Sequence, residues 1–264
     1  MKKGLIALLV LGLAISGAGA AQAISIPAGP ITFHWTNWEN RITDEGDVLN
    51  GIFRLDQILD GSSNVIWSNG DGGEELTGTF SGLTVTSFGG ELPGSNISFS
   101  GGELKVYLDS TPDFTPTFPG ASADNDGILW LDLDFVTGGN FFFPGDTLHS
   151  IVTGAGADPN SFLAIFGTGS GLLDVVGGAA AGIFDTNTYT RLDGSGLFAD
   201  MSLSANFYIR NTGTAPFTNP KDGWDVWSSD PIGANAIPEP TSMLLLGMGM
   251  AGLAVKKLAR KKAA

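Results

Sequence analysis

The stretch ILWLDLDF, residues 128–135, places bulky apolar side chains at every second position. Leu129, Leu131, Leu133 and Phe135 fall on one face of an extended chain; Trp130, Asp132 and Asp134 fall on the other. A period of two belongs to a strand with one buried and one solvated face. Apolar residues three and four apart, the helical signature, are not what organises it.

The same short-burst pattern recurs on both sides. ITFHWT (31–36), GIFRLDQIL (51–59), NVIWS (64–68), LTGTFSGLTVTSF (76–88) and ELKVYLD (103–109) precede it. HSIVTG (149–154), FLAIFG (162–167) and LFADMSLSANFYI (197–209) follow. Gly, Asn, Asp and Pro punctuate these runs as turn residues. Helical signal is confined to GLLDVVGGAAAGIF (171–184), where Gly177 and Gly178 allow a short helix at most. The reading is a mainly β chain, with an antiparallel β-sandwich or jelly-roll-like domain over residues 24–215. Residues 216–236, with Pro216, Pro220 and Pro231, read as a tail whose Trp224 and Trp227 can dock on the core.

Both ends of the 264-residue chain differ from this body. Residues 1–23 join Lys2 and Lys3 to an apolar run, Gly4 to Ile15, and an Ala21-Gln22-Ala23 site. These are the parts of a cleaved secretory signal peptide, so signal peptidase is an expected partner and Ile24 the expected new N-terminus. At the other end, Pro238-Glu239-Pro240 precedes fifteen uncharged residues, 241–255, and a basic tail, 256–264. As a helix those fifteen residues rise ~22 Å, against ~30 Å of hydrocarbon, and snorkelling lysines make up the difference. The basic cluster Lys256, Lys257, Arg260, Lys261 and Lys262 keeps the tail cytoplasmic and the body on the far side.

This tripartite end resembles the PEP-CTERM sorting signal of Gram-negative bacteria, over residues 237–264. The resemblance implies recognition of Pro238, Glu239 and Pro240 by an exosortase, a membrane transpeptidase. It implies a transient stay in the inner membrane through the C-terminal helix, then release to the cell surface or medium. It further implies association with exopolysaccharide, biofilm or floc formation. The prolines suit such a role physically, because they keep Glu239 out of a helix and open to a protease cleft.

Between the ends, residues 24–236 hold six basic and 26 acidic side chains, a formal charge of −20. Such a surface repels nucleic acid and anionic lipid. Without cysteine there is no thiol nucleophile, and two histidines, His34 and His149, are too few for a His-rich metal centre. No G-x-S-x-G is present; GTGSGLL (167–173) and DGSGLF (193–198) read as turns. No enzymatic activity is therefore expected, with a polysaccharide hydrolase the least supported alternative. Trp130 beside Asp132 and Asp134 is a candidate glycan contact, which makes a secreted carbohydrate-binding module the main rival. Asp124, Asp126 and Gly127 form the D-x-D-G half of a calcium loop, although Leu133 stands where the bidentate Glu belongs. Ca²⁺ is the one cofactor these residues suggest; Asx-Gly turns explain them equally without metal.

Overall fold

The computed structural model describes residues 24–116, 127–155, 165–209 and 224–237. The chain is mainly β. Its strands are β1 (Gly29–Glu39), β2 (Val48–Asp60), β3 (Val65–Ser68), β4 (Glu75–Phe88), β5 (Asn96–Ser100), β6 (Glu103–Asp109) and β7 (Ile128–Val136). They continue as β8 (Leu148–Ala155), β9 (Ile165–Gly177), β10 (Tyr189–Thr190), β11 (Phe198–Ala199), β12 (Met201–Ile209) and β13 (Val226–Ala236). A single-turn helix, α1 (Ala181–Phe184), follows β9, consistent with the limit that the glycines at 177 and 178 impose.

Among the described residues, eleven strands form one antiparallel sheet in the order β3-β2-β1-β13-β12-β9-β7-β6-β4-β5-β8. Additional β2–β4 and β9–β8 pairings close it on itself. The expected antiparallel β-sandwich or jelly-roll-like domain thus takes the form of one large, closed and forked antiparallel sheet. The cause is strand length. β4 pairs with β2 along one edge and divides the other between β6 and β5. β9 pairs with β12 along one edge and divides the other between β8 and β7. Closure removes the edges that an open sheet would expose.

Alternation directs the core. From β1, Ile31, Phe33 and Trp35 point inward; from β7, Leu131, Leu133 and Phe135 join Leu173, Leu203 and Ile232 in one buried cluster. Where two strands crowd β4, a glycine makes room. Gly78 pairs with Phe53 on one side and Val106 on the other. A Cβ there would lie 2.1 Å from the Lys105 carbonyl oxygen and 2.3 Å from Phe53 Cζ. The backbone oxygen cannot step aside without breaking the ladder. Gly78→Ala is therefore expected to destabilise at the upper end of the ~1–3 kcal/mol typical of overpacking. An unchanged urea midpoint would contradict this packing.

Two expectations need correction. Residues 226–236 are not a tail: β13 lies between β1 and β12 and alternates buried and partly exposed positions along its whole length. Pro231 sits inside it, and its cost is visible. The β12–β13 pairing lapses between Leu203↔Ile232 and Phe207↔Ser228, around the residue that has no N–H to give. Trp130 does not stand on the outer face with Asp132 and Asp134. Between β6 and β7 the register jumps from Val106↔Leu131 to Tyr107↔Leu129, so Trp130 is the extra residue of a bulge. The bulge turns it inward, 6 % exposed, edge-on to Phe33 and Phe184.

Candidate functional site

The interior holds a cavity of about 70 Å³, lined mostly by apolar residues that include Trp35, Phe53, Phe80, Phe99, Phe135 and Phe207. Two acids interrupt this lining. Glu39 arrives from the last position of β1 and Asp230 from the middle of β13. Both follow from alternation: β1 turns every second residue inward, and after Ile31, Phe33 and Trp35 those residues are Asn37 and Glu39. On β13 the inward series is Val226, Ser228, Asp230 and Ile232. The register sets Trp35 opposite Asp230 and Asn37 opposite Ser228.

The two carboxyls are joined through one hydroxyl. Ser228 Oγ lies 2.5 Å from Glu39 Oε1 and 3.1 Å from Asp230 Oδ2. Asn37 Nδ2 donates to Asp230 Oδ2. The Asn206 N–H, left without a ladder partner where Pro231 opens the sheet, donates to Asp230 Oδ1 at 3.0 Å. Burial pushes the Glu39 carboxyl up, against the pull of Ser228 and Asn37. Burial, and then the Glu39 charge, raise Asp230 well above the ordinary carboxylate range, against hydrogen bonds from Asn206, Ser228 and Asn37. A hydroxyl has one hydrogen to donate, so a proton on one acid lets Ser228 accept from it and donate to the other.

A group that holds its proton more tightly when folded contributes full stability below its unfolded value, near ~4. That contribution is lost as pH rises through the raised folded value. Asp230→Asn removes the titration and keeps an oxygen for the Asn206 N–H; the Asn37 amide can flip to face the new amide. The variant is expected to melt higher than the wild type at pH 8, with the difference fading toward pH 4. Each tenfold tightening of proton binding corresponds to roughly 3–5 °C in a domain of this size. Parallel melting curves across that range would refute the raised pair.

Further polar clusters lie on other strands. His149 Nδ1 lies 2.8 Å from Asp146 Oδ2 and 3.5 Å from Ser98 Oγ. A serine, a histidine and an aspartate thus meet, but on the same ring nitrogen; Nε2 faces Asn96 Oδ1 at 3.1 Å. A triad needs the serine and the acid on opposite nitrogens. Asp200, buried, accepts the N–H groups of Val175, Thr186 and Asn187 and pins the chain after α1. Its neighbour Asp174 is pushed up to about 6, chiefly by burial and then by Asp200.

Of the residues singled out in the sequence, Asp132 is half-buried and Asp134 exposed on β7, facing Lys105 and Glu103 across the ladder. Their intended aromatic partner, Trp130, is in the core. Trp35, Trp38 and Trp67 are buried as well. An aromatic pair that does reach the surface carries no local sequence signal: Trp227, 38 % exposed, stacks on Tyr208 with ring centroids 5.3 Å apart. Asp124 and Asp126 lie outside the described residues. Asp113, eleven positions before Asp124, has a carboxylate oxygen within 4.8 Å of those of Glu75 and Asp109.

At one end of the closed sheet Gly29 pairs with Ala236, so the first and last strands of the body start and finish side by side. The Ile237 N–H then donates to the Ile183 carbonyl in α1 at 2.9 Å. Comparison with known families matches residues 236–261 to the PEP-CTERM protein-sorting motif. The chain carries a PEP-CTERM sorting motif. That motif marks it as an exosortase-targeted, exported protein of the cell surface or medium. No curated protein and no solved structure matches the chain. Pro238, Glu239 and Pro240, the apolar run 241–255, the basic residues from Lys256 to Lys262 and the N-terminal segment 1–23 lie outside the described residues. Among the described residues no helix is long and apolar enough to cross a membrane. The sorting motif begins on the final residue of β13, and Pro238 stands two residues beyond that strand's end.

Proposed function

We propose that the body is a non-enzymatic matrix or surface protein, delivered by exosortase processing and associated with exopolysaccharide in biofilm or floc. The observation that carries this reading is the sorting motif itself, which marks an exported chain for exosortase. The closed antiparallel sheet supports it, because a domain with few free edges resists edge-to-edge aggregation at high local concentration. The acidic exterior supports it too, since a formal charge of −20 on residues 24–236 favours a hydrated, cation-rich setting.

The Trp227–Tyr208 pair favours a second reading, a carbohydrate-binding module, because sugar rings stack on exposed aromatic faces. One experiment separates the two. The secreted protein is sedimented with purified exopolysaccharide from its own host, with and without soluble oligosaccharides of the same composition. A matrix component co-sediments through many weak contacts and is insensitive to Trp227→Ala. A binding module is competed off by the oligosaccharide and loses retention with that variant. A protein that stays in the supernatant, from a host whose flocs are unchanged by its deletion, refutes the matrix reading.

A further inference from the structure

We propose that the interior cavity is a binding site for a small organic cation, an ammonium group carried on a short apolar chain. This goes beyond the matrix reading and does not depend on it.

Three observations converge. Among the described residues that line the cavity, the only ionisable side chains are Glu39 and Asp230, and both are acids. No lysine or arginine there answers them, so a positive charge must come from a guest to let both ionise. One further buried polar atom on the same wall, Asn37 Oδ1, is an acceptor without a partner, on a residue 7 % exposed. An ammonium donates up to three hydrogen bonds, enough for the orphaned Asn37 oxygen and for both carboxylates. The rest of the wall is aromatic and aliphatic, which takes an alkyl chain by burial and a cation by the faces of its rings.

Size limits the guest. A volume of about 70 Å³ holds on the order of five water-sized groups, which suits a chain of about four carbons and one nitrogen. Charge makes binding pH-dependent. Burial makes both acids hold their protons above the usual range. A bound ammonium displaces protons from the pair, so affinity rises with pH until the guest loses its own charge, near ~10.4 for an alkylammonium. The acids also cost stability when nothing answers them, which is the expected state of a site organised for a charged guest.

The probe is n-butylammonium, with n-butanol and butyrate as neutral and anionic counterparts at matched ionic strength. The purified full chain, in non-ionic detergent, is followed by thermal melting and by calorimetry at pH 6 and pH 8. The expected result is a saturable rise in melting temperature with millimolar butylammonium, weaker with butanol and absent with butyrate. Affinity should be several-fold higher at pH 8 than at pH 6. Glu39→Gln with Asp230→Asn should weaken butylammonium binding at least tenfold while leaving the far-ultraviolet spectrum unchanged. Should that pair not fold, the single Glu39→Gln variant and the three probes on the wild type still decide. Equal responses to butylammonium and butanol would reduce the cavity to an apolar void and overturn the proposal. Equal responses in wild type and variant would assign the effect to the acidic exterior and overturn it. No response at all would leave a cavity that takes only water, which overturns it as well.

Discussion

A chain that stops after Asp225 is expected not to fold, whereas one that stops after Pro240 is expected to fold fully. The difference between them is β13 and the few residues that follow it. β13 pairs with β1 along the whole of both strands, from Gly29↔Ala236 to Glu39↔Val226, and with β12 at both of its ends. Removing it opens a closed sheet and leaves two long unpaired edges. Each lost hydrogen bond is worth about 1 kcal/mol net, so two ladders alone rival the ~5–15 kcal/mol by which a domain is stable. Val226, Ile232, Ala234 and Ala236 would leave the core with it, and Ile232 is fully buried. The measurement is limited proteolysis with near-ultraviolet circular dichroism on the two truncations. A native-like, protease-resistant product ending at Asp225 would show that the sheet closes without its last strand. The same physics constrains processing: a cut that leaves a folded body must fall after Ala236, the residue on which the sorting motif begins.

Glu239→Ala is expected to move the protein from outside the cell to the membrane almost completely. The motif is the matched element, and the signal-like N-terminus is untouched by the change. Export should proceed as before. Without the cut, the uncharged run 241–255 has no inexpensive exit from hydrocarbon, and the lysines and arginine behind it oppose translocation. The full-length chain should therefore accumulate in the membrane fraction, while the wild type appears in the medium without its basic tail. Mass spectrometry of the secreted form locates the new C-terminus. Wild-type protein recovered outside the cell with Lys256 to Ala264 still attached would defeat the idea, as would unaltered processing in a host without exosortase.

Much of the architecture is legible in the sequence because strand formation is mostly a local matter. ELKVYLD coincides with β6 and ILWLDLDF with all but the last residue of β7, since alternation and flanking turn residues lie within a few positions of each other. The joined stretch 197–209 breaks at Asp200, whose carboxylate is spent on three backbone N–H groups and whose position separates β11 from β12. β5, NISFS, is short and polar at both ends, and it is a strand because β4 and β8 flank it. β13 reads as a tail for the opposite reason. Its local chemistry, Ser-Ser-Asp-Pro with glycine and asparagine after it, argues for a turn. Two neighbouring ladders overrule that preference, and the Asp230 carboxylate takes up a backbone N–H that the proline leaves unpaired.

The sequence by itself determined the strand periodicity, the acidic charge of the body and the destination of the chain. Each of these is written in residues adjacent along the backbone: an alternating run, a count of charges, a Pro-Glu-Pro set before an apolar segment and a basic end. Only the tertiary structure decided which way Trp130 turns, that residues 226–236 close the sheet, and that Glu39 and Asp230 meet across an apolar cavity. Those outcomes rest on register. A single extra residue in β7 sends Trp130 to the opposite face, and the pairing of β1 with β13 brings together two acids 191 positions apart. Register is set by every ladder at once, so it is a property of the closed sheet and of no segment alone.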